Sequence, residues 1–297
     1  MAAEYGLPGM AEDGPPEATA EQGAPGVTAA DGPPRVAALR LHPLKSGAAV
    51  PVHEAYFDAT GCRGDRRWLL VDAGGRFLTQ REHPRMCLIR AEPLQGGLRL
   101  EAPGVAAADV AEPAGPGRLP VDIWGDRVAA APSSAAADRW VSRFLGFPCR
   151  LVHFPVDGER LIGEPEAAPG DRVFFPDRYP ILLLSEGSLD ALNARLAEPL
   201  PVERFRPNLV VAGVAPHDED GWARIRVGGA ELDVVKGCAR CAVTTVHPAS
   251  GERGVEPLRT LATYRQWDGK VWFGQNAIPR VAGTVRVGDP VTVLARR

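Results

Sequence analysis

The chain has 297 residues, 45% of them hydrophobic, with a formal net charge of −3 and a pI near 6.1. This length and apolar content support one large globular domain or two smaller ones, and the mild acidity excludes a broad basic footprint for nucleic acid. No apolar run reaches the length of a membrane span and no signal-peptide core opens the chain, so a soluble cytoplasmic protein with no membrane or nucleic-acid partner is expected.

Residues 1–35 are rich in Ala, Gly, Pro and Glu, with six acidic residues against one arginine. Such a segment buries too little apolar surface to offset its ordering entropy, and it reads as a disordered tail. Val36 to Leu41 is the first strand-like run, ended by His42-Pro43. From there to about residue 130 short β runs alternate with glycine turns. Trp68–Asp72 and Arg76–Gln80 flank Ala73-Gly74-Gly75, Leu88–Glu92 and Leu98–Glu101 flank Gln95-Gly96-Gly97, and Val121–Trp124 and Arg127–Ala129 flank Gly125-Asp126. All three read as hairpins. A helix is predicted over Ser134 to Phe144, with Ser133 or Ser134 as its cap, Trp140 and Phe144 on one face and Gly146 beyond its end.

Further on, Ile181–Leu184 reads as a buried strand, Ser185–Leu196 as a helix with Leu189, Leu192 and Leu196 on one face, and Asn208–Ala212 as a strand. Arg224–Val227 and Ala230–Val235 flank Gly228-Gly229; a short helix fits Pro257–Arg265 and a closing β segment Thr284–Ala295. Many short, mostly antiparallel strands with a few peripheral helices predict a β-rich α+β barrel architecture.

Five cysteines, at 62, 87, 149, 238 and 241, are odd in number and too sparse for a disulfide scaffold. Only three of the 34 basic residues are lysines, Lys45, Lys236 and Lys270; this bias, with abundant Ala, Gly and Pro, points to a GC-rich, bacterial genome. The densest chemistry lies in Lys236–Val246, KGCARCAVTTV. Half of a zinc site would need two further ligands, and none stands at compatible spacing. A redox dithiol would need a helix N-terminus at its first thiol, whereas the β-branched run after Cys241 predicts a strand. Either cysteine could also be a plain buried one. Against that, Arg240 sits beside Cys241, and a neighbouring cation favours the thiolate, which binds soft metals.

KGCARCAVTTVHPASG, followed by Glu256-Pro257-Leu258 and Leu261-Ala262-Thr263-Tyr264-Arg265, resembles the core motif of MOSC-domain proteins, and in particular the amidoxime-reducing component and its bacterial relatives. Four more stretches match in order: Leu41–Ser46, Gly64–Trp68, Phe205–Asn208 and Phe273–Asn276. The resemblance implies a β-barrel-like N-terminal MOSC domain over 36–155 and a MOSC-type β-barrel core over 156–297. It also implies a molybdenum cofactor, whose pterin dithiolene carries the metal. Cys241 would be the protein ligand to molybdenum, a role suited to a soft thiolate, with Cys238 alongside it. Lys45, Ser46, Arg66, Arg206, Asn208 and Arg240 would line the cofactor site, with Asn276 at a more variable position; arginine suits phosphate because its fork binds two oxygens. A serine usual between the two cysteines is Ala239 here. Without their motifs, Arg66 and Arg206 would pass for ordinary ion-pairing arginines and Asn208 for a turn cap.

The activity implied is two-electron reduction of small N-hydroxylated substrates: amidoximes, hydroxylamines and N-hydroxylated bases. The chain stops at Arg297 without cysteines spaced for an iron–sulfur cluster, so a separate flavin, iron–sulfur or haem protein is expected to donate electrons. A cofactor carrier, or a sulfur-transfer protein using a cysteine persulfide, is the alternative; with no pyridoxal-phosphate domain present, a complete sulfurase is disfavoured. His247 and the run His217-Asp218-Glu219-Asp220 read as solvated turns, and loops 156–171 and 214–221 as walls of the access path.

Overall fold

The computed structural model describes residues 32–297. Of the tail expected over 1–35, residues 1–31 lie outside the described residues. Residues 32–35 belong to the fold: Val291 N donates to the Pro34 carbonyl at 2.9 Å, and Arg35 opens the first strand.

The first half contains β1 (Arg35–Leu41), β2 (Val50–Val52), β3 (Glu54–Asp58), β4 (Gly61–Cys62), β5 (Trp68–Val71), β6 (Arg90–Leu94), β7 (Gly97–Ala102), β8 (Val105–Ala111), β9 (Leu119–Ile123), β10 (Asp126–Pro132), α1 (Ala135–Leu145) and β11 (Arg150–His153). The hairpin expected on either side of residues 73–75 is partial. Leu78 N donates to Leu70 O, but the chain turns at Thr79, whose carbonyl accepts from Glu82 and His83, and β5 takes β11 as its strand partner. Leu88 belongs to a 3₁₀ turn started by Pro84, so the next hairpin begins at Arg90. The β9–β10 hairpin turns at Trp124 and Gly125, both with positive φ. α1 is capped as expected: Ser134 Oγ accepts from Ala137 N at 3.2 Å and Gly146 closes the helix at φ 87°.

The second half contains β12 (Ile181–Ser185), α2 (Glu186–Asn193), β13 (Leu209–Ala212), β14 (Trp222–Val227), β15 (Ala230–Ala239), α3 (Leu258–Ala262), β16 (Gln266–Trp267), β17 (Lys270–Val281), β18 (Gly283–Arg286) and β19 (Val291–Arg296). Three expectations are corrected. The helix expected to reach Leu196 ends at Asn193, whose side chain turns back to bond the Leu200 backbone. The closing segment is two strands, parted at Gly288 (φ 93°) and Asp289. The strand expected after Cys241 is a 3₁₀ turn, Ala242–Thr245. Thr244 and Thr245 donate their hydroxyls to the carbonyls of Cys241 and Ala242, offering the backbone a local alternative to a ladder.

The largest sheet has nine strands, ordered β19-β14-β15-β17-β12-β13-β1-β2 with β16 on β17, and it curls into a half-barrel. Neighbours are antiparallel apart from the parallel pair β12 and β13. β1 and β2 thus extend a sheet otherwise built from the second half, and β3, itself paired with β4, pairs with β18, so sheet pairing crosses the expected division at 155/156. Two smaller sheets, β5-β11-β10-β9 and β6-β7-β8, complete the first half. Trp222, Phe57, Leu39 and Ile225 fill the core of the large sheet, and Trp68, Met86, Phe144 and Leu151 the core under α1. Each such side chain contributes roughly 1.5–3 kcal/mol by burial. Among the described residues no helix is long and apolar enough to cross a membrane.

Candidate functional site

Strand register sets the first part of the site. β1 and β13 are antiparallel with Leu39 opposite Leu209, so the residues after β1 meet those just before β13. Asn208 sits at this junction with its amide engaged at both ends: Oδ1 accepts from Arg66 Nη1 (2.9 Å) and Leu182 N (3.2 Å), and Nδ2 donates to Arg40 O (3.2 Å). Arg66 also pairs with Asp65 and reaches the Arg206 carbonyl at 3.3 Å. Arg206 donates Nη1 to Gly47 O, while its Nη2 is sealed from solvent with no partner among the described residues. Burial, with Arg66 close by, pulls the Arg206 pKa down to about 9. Between them lies His42, its pKa pushed well below the ordinary value by burial and then by Arg206 and Arg66, so it is neutral. Ser46, Arg66 and Arg206 all hold left-handed backbone (φ 65°, 43° and 58°), a conformation that costs a side-chain-bearing residue energy and clusters at functional sites.

The second part joins Lys45 to Cys241 through two residues that sequence reasoning missed. Lys45 is 5% exposed and donates Nζ to Phe175 O (2.6 Å) and to the Asp177 carboxylate. Arg81 Nη2 lies 2.9 Å from the other Asp177 oxygen and 3.2 Å from Cys241 Sγ. Burial lowers the Lys45 pKa to about 8 despite Asp177. Partial burial raises the pKa of Asp177, but Lys45 and Arg81 outweigh it and hold this carboxyl well below the usual range. Arg160 steadies the segment by donating to the carbonyls of Phe174 (3.1 Å), Pro176 (2.7 Å) and Asp177 (3.2 Å), and to Asp126 at 2.8 Å. Neither Arg81 nor Asp177 lies in a recognised motif, and Arg81 stands 160 positions from Cys241.

The third part lies around the two thiols. Arg240, expected as the cation beside Cys241, donates instead to Cys238 Sγ (3.0 Å) and to Phe205 O (2.7 Å). The cation on Cys241 is Arg81. Neighbours in an extended chain point to opposite sides, so adjacency at 240 and 241 gave the wrong partner. Arg204 donates to Thr245 O at 2.8 Å, holding the turn after Cys241 against the turn before Arg206. Asn276 stands on β17 opposite Lys236 and donates to Gly237 O at 3.1 Å, and Ser46 Oγ accepts from Gln80 N at 3.2 Å. A cavity of about 360 Å³ opens beside these elements, lined by Arg206, Gln80, Cys87, Val243 and His247 among others.

The histidine readings divide. His247 is exposed, as expected. The 217–220 run is not a solvated loop: Glu219 is 1% exposed and accepts from Ser185 N, Ser185 Oγ and Ser188 Oγ at 2.7–3.1 Å, while Asp220 pairs with Arg265. His217 packs on Tyr264 and Phe273. Its acids are spent on internal donors, and among the described residues no group of three or more His, Cys, Asp or Glu side chains is placed to hold a metal ion.

Fold and site together define a β-barrel protein with an arginine-rich junction leading to a half-buried cysteine. The family description "MOSC domain" matches residues 170–292, and "MOSC N-terminal beta barrel domain" matches 33–148. The chain is 36% identical to mitochondrial amidoxime-reducing component 1 of Xenopus laevis over 280 residues, covering 87% of this chain and 82% of that one. For the Homo sapiens protein of the same name the figures are 35%, 88% and 83%. Molybdenum cofactor sulfurase of Oryza sativa subsp. japonica is 33% identical over 79% of this chain, which matches 31% of that longer relative. The chain belongs to the MOSC-domain family.

Proposed function

We propose that the protein holds a molybdenum cofactor and reduces small N-hydroxylated compounds. The observation that carries this reading is the Arg206 guanidinium. Among the described residues one of its nitrogens is buried without a partner, beside Arg66, in a junction where Lys45, Arg66 and Arg81 form their ion pairs with Asp65 and Asp177. A buried donor left unpaired costs about 1–3 kcal/mol, and surplus buried cations cost more. A phosphate-bearing group seated there relieves both penalties, because a phosphate accepts several charge-assisted hydrogen bonds at once.

The residues present therefore fit the cofactor. Arg66, Arg206 and Arg240 are the cations for its phosphate and pterin, together with the Lys45 and Ser46 backbone turn and Asn276. Asn208, whose amide oxygen already accepts from Arg66 and Leu182 N, acts by fixing Arg66. Cys241 is the thiolate ligand for molybdenum. When bound, the cofactor supplies the two-electron reduction. In the overall reaction the N–O bond breaks with the uptake of two electrons and two protons: the nitrogen is reduced and takes one proton, and the hydroxyl oxygen takes the other and leaves as water. Electrons come from a separate flavin, iron–sulfur or haem protein. Arg81 orients the Cys241 sulfur and Lys45 anchors Asp177, which in turn fixes Arg81. The relatives named as amidoxime-reducing components support this reading, and a cytoplasmic location belongs to the same proposal.

The similarity to a molybdenum cofactor sulfurase favours a second reading, a protein that carries the cofactor or transfers sulfur to it. Metal and pterin analysis of protein purified from a molybdate-supplied host tests both. Bound molybdenum and pterin are expected in the wild type, with molybdenum lost in Cys241→Ala; stoichiometric zinc without pterin would sink the proposal. Turnover of an amidoxime with an artificial electron donor then separates the reductase from the carrier, which would show cofactor transfer to an apo-enzyme and no turnover.

A further inference from the structure

Trp124 occupies the first position of the two-residue β9–β10 turn with φ 56°, followed by Gly125 at φ 90°. Left-handed backbone at both central positions is the turn that favours Asn-Gly, and a bulky side chain there is disfavoured relative to asparagine or glycine. About half of the residue, 51%, is nevertheless left exposed, so part of its aromatic surface stands in solvent. A strained, exposed aromatic residue calls for a functional reason.

Its surroundings supply one. The Arg81 guanidinium lies 4.9 Å from the centre of the Trp124 ring, and the same guanidinium touches Cys241 Sγ at 3.2 Å. Phe77 packs against the indole at 5.0 Å and carries Lys45 Nζ 5.7 Å from its own ring centre. One residue past the turn, Asp126 accepts from Arg160, which also holds the Asp177 carbonyl. The hairpin tip is therefore fastened to the Lys45–Asp177–Arg81–Cys241 chain from two sides, and an aromatic surface stands in solvent one guanidinium away from the thiol.

Resting on the reductase reading above, we infer that Trp124 is the stacking platform for the substrate and selects planar, conjugated N-hydroxylated compounds over small aliphatic ones. A flat π system stacks on the indole in water, while its polar N-hydroxy end lies toward Arg81. The β9–β10 hairpin thus contributes to substrate choice, whereas the cofactor residues come from other elements: the ends of β1, β13 and β15, the β4–β5 connection and β17.

Two variants of the cofactor-loaded protein test this, Trp124→Asn and Trp124→Phe, with benzamidoxime and acetamidoxime as the aromatic and aliphatic probes. Trp124→Asn is expected to reduce the benzamidoxime-to-acetamidoxime ratio of kcat/KM about tenfold, mainly through KM, within the range for loss of one aromatic stack. Trp124→Phe is expected to restore most of the preference. The melting temperature of Trp124→Asn should stay close to wild type, since an asparagine suited to the turn offsets the lost contacts with Phe77 and Arg81. An unchanged ratio, or a fall in melting temperature with an unchanged ratio, would make the residue structural and overturn the inference. Calorimetric binding of benzamidine and acetamidine needs no turnover and separates the two readings. Trp124-dependent preference for benzamidine in a protein that turns over neither amidoxime would retain the platform and discard the reductase. Turnover with no Trp124 dependence in binding or kinetics would do the reverse.

Discussion

Lys45 shows how a single residue can be legible by position and not by state. Its place in a motif and the scarcity of lysine in the chain drew attention to it, but that its ammonium is sealed against Phe175 O and Asp177 depends on a segment 130 residues away. Burial lowers its folded pKa from 10.5 to about 8. Between those values the unfolded chain binds the proton and the folded one does not. Lys45 therefore destabilises the fold most below pH 8, and its contribution improves as pH rises towards 10.5. Denaturant unfolding of wild type and Lys45→Met should show the difference moving in favour of wild type by about 2 kcal/mol from about pH 7.5 to about pH 9.5. The same limit applies to Arg81 and Asp177. Nothing in the sequence around either one marks it, because their role comes from meeting each other and Cys241 across the fold.

At the scale of elements, local chemistry decided most outcomes. The cap of α1 and its terminal glycine were readable because both act within four residues. The turn after Cys241 departs from its strand-like sequence: β-propensity ranks valine and threonine high, but here two threonine hydroxyls and the Arg204 guanidinium satisfy the carbonyls of a 3₁₀ turn. β17 carried no strand signal because Gly274 and Pro279 interrupt it; Gly274 takes φ 76° where a Cβ would lie 2.9 Å from Leu183 O, and Pro279 falls next to a bulge. Glu219 braces two elements: its buried carboxylate fastens the 218–221 turn to the start of α2 through three donors. Glu219→Ala leaves those donors unpaired and should cost about 3 kcal/mol in denaturant unfolding, with Glu219→Gln recovering part of it.

Over the whole molecule, the two matched family regions share a sheet. β1 and β2 bring Val36, Leu39, Leu41 and Val50 into the core of a sheet whose other strands come from the second half. A fragment spanning 156–297 would expose the buried β13 edge, Leu209–Ala212, and that core surface to water. It is expected to aggregate or remain unfolded by gel filtration and circular dichroism, and a soluble, cooperatively melting fragment would contradict the shared-sheet account.

The sequence by itself determined the β-rich class, the helix cap, two of the three expected hairpin turns and the family, because these rest on near-neighbour chemistry and on ordered motifs. Only the tertiary structure decided which cation meets Cys241 and which carbonyl of an amide side chain is already taken by Arg66. Those outcomes depend on strand register between segments more than a hundred residues apart, and sequence spacing carries no record of the direction in which each side chain then points.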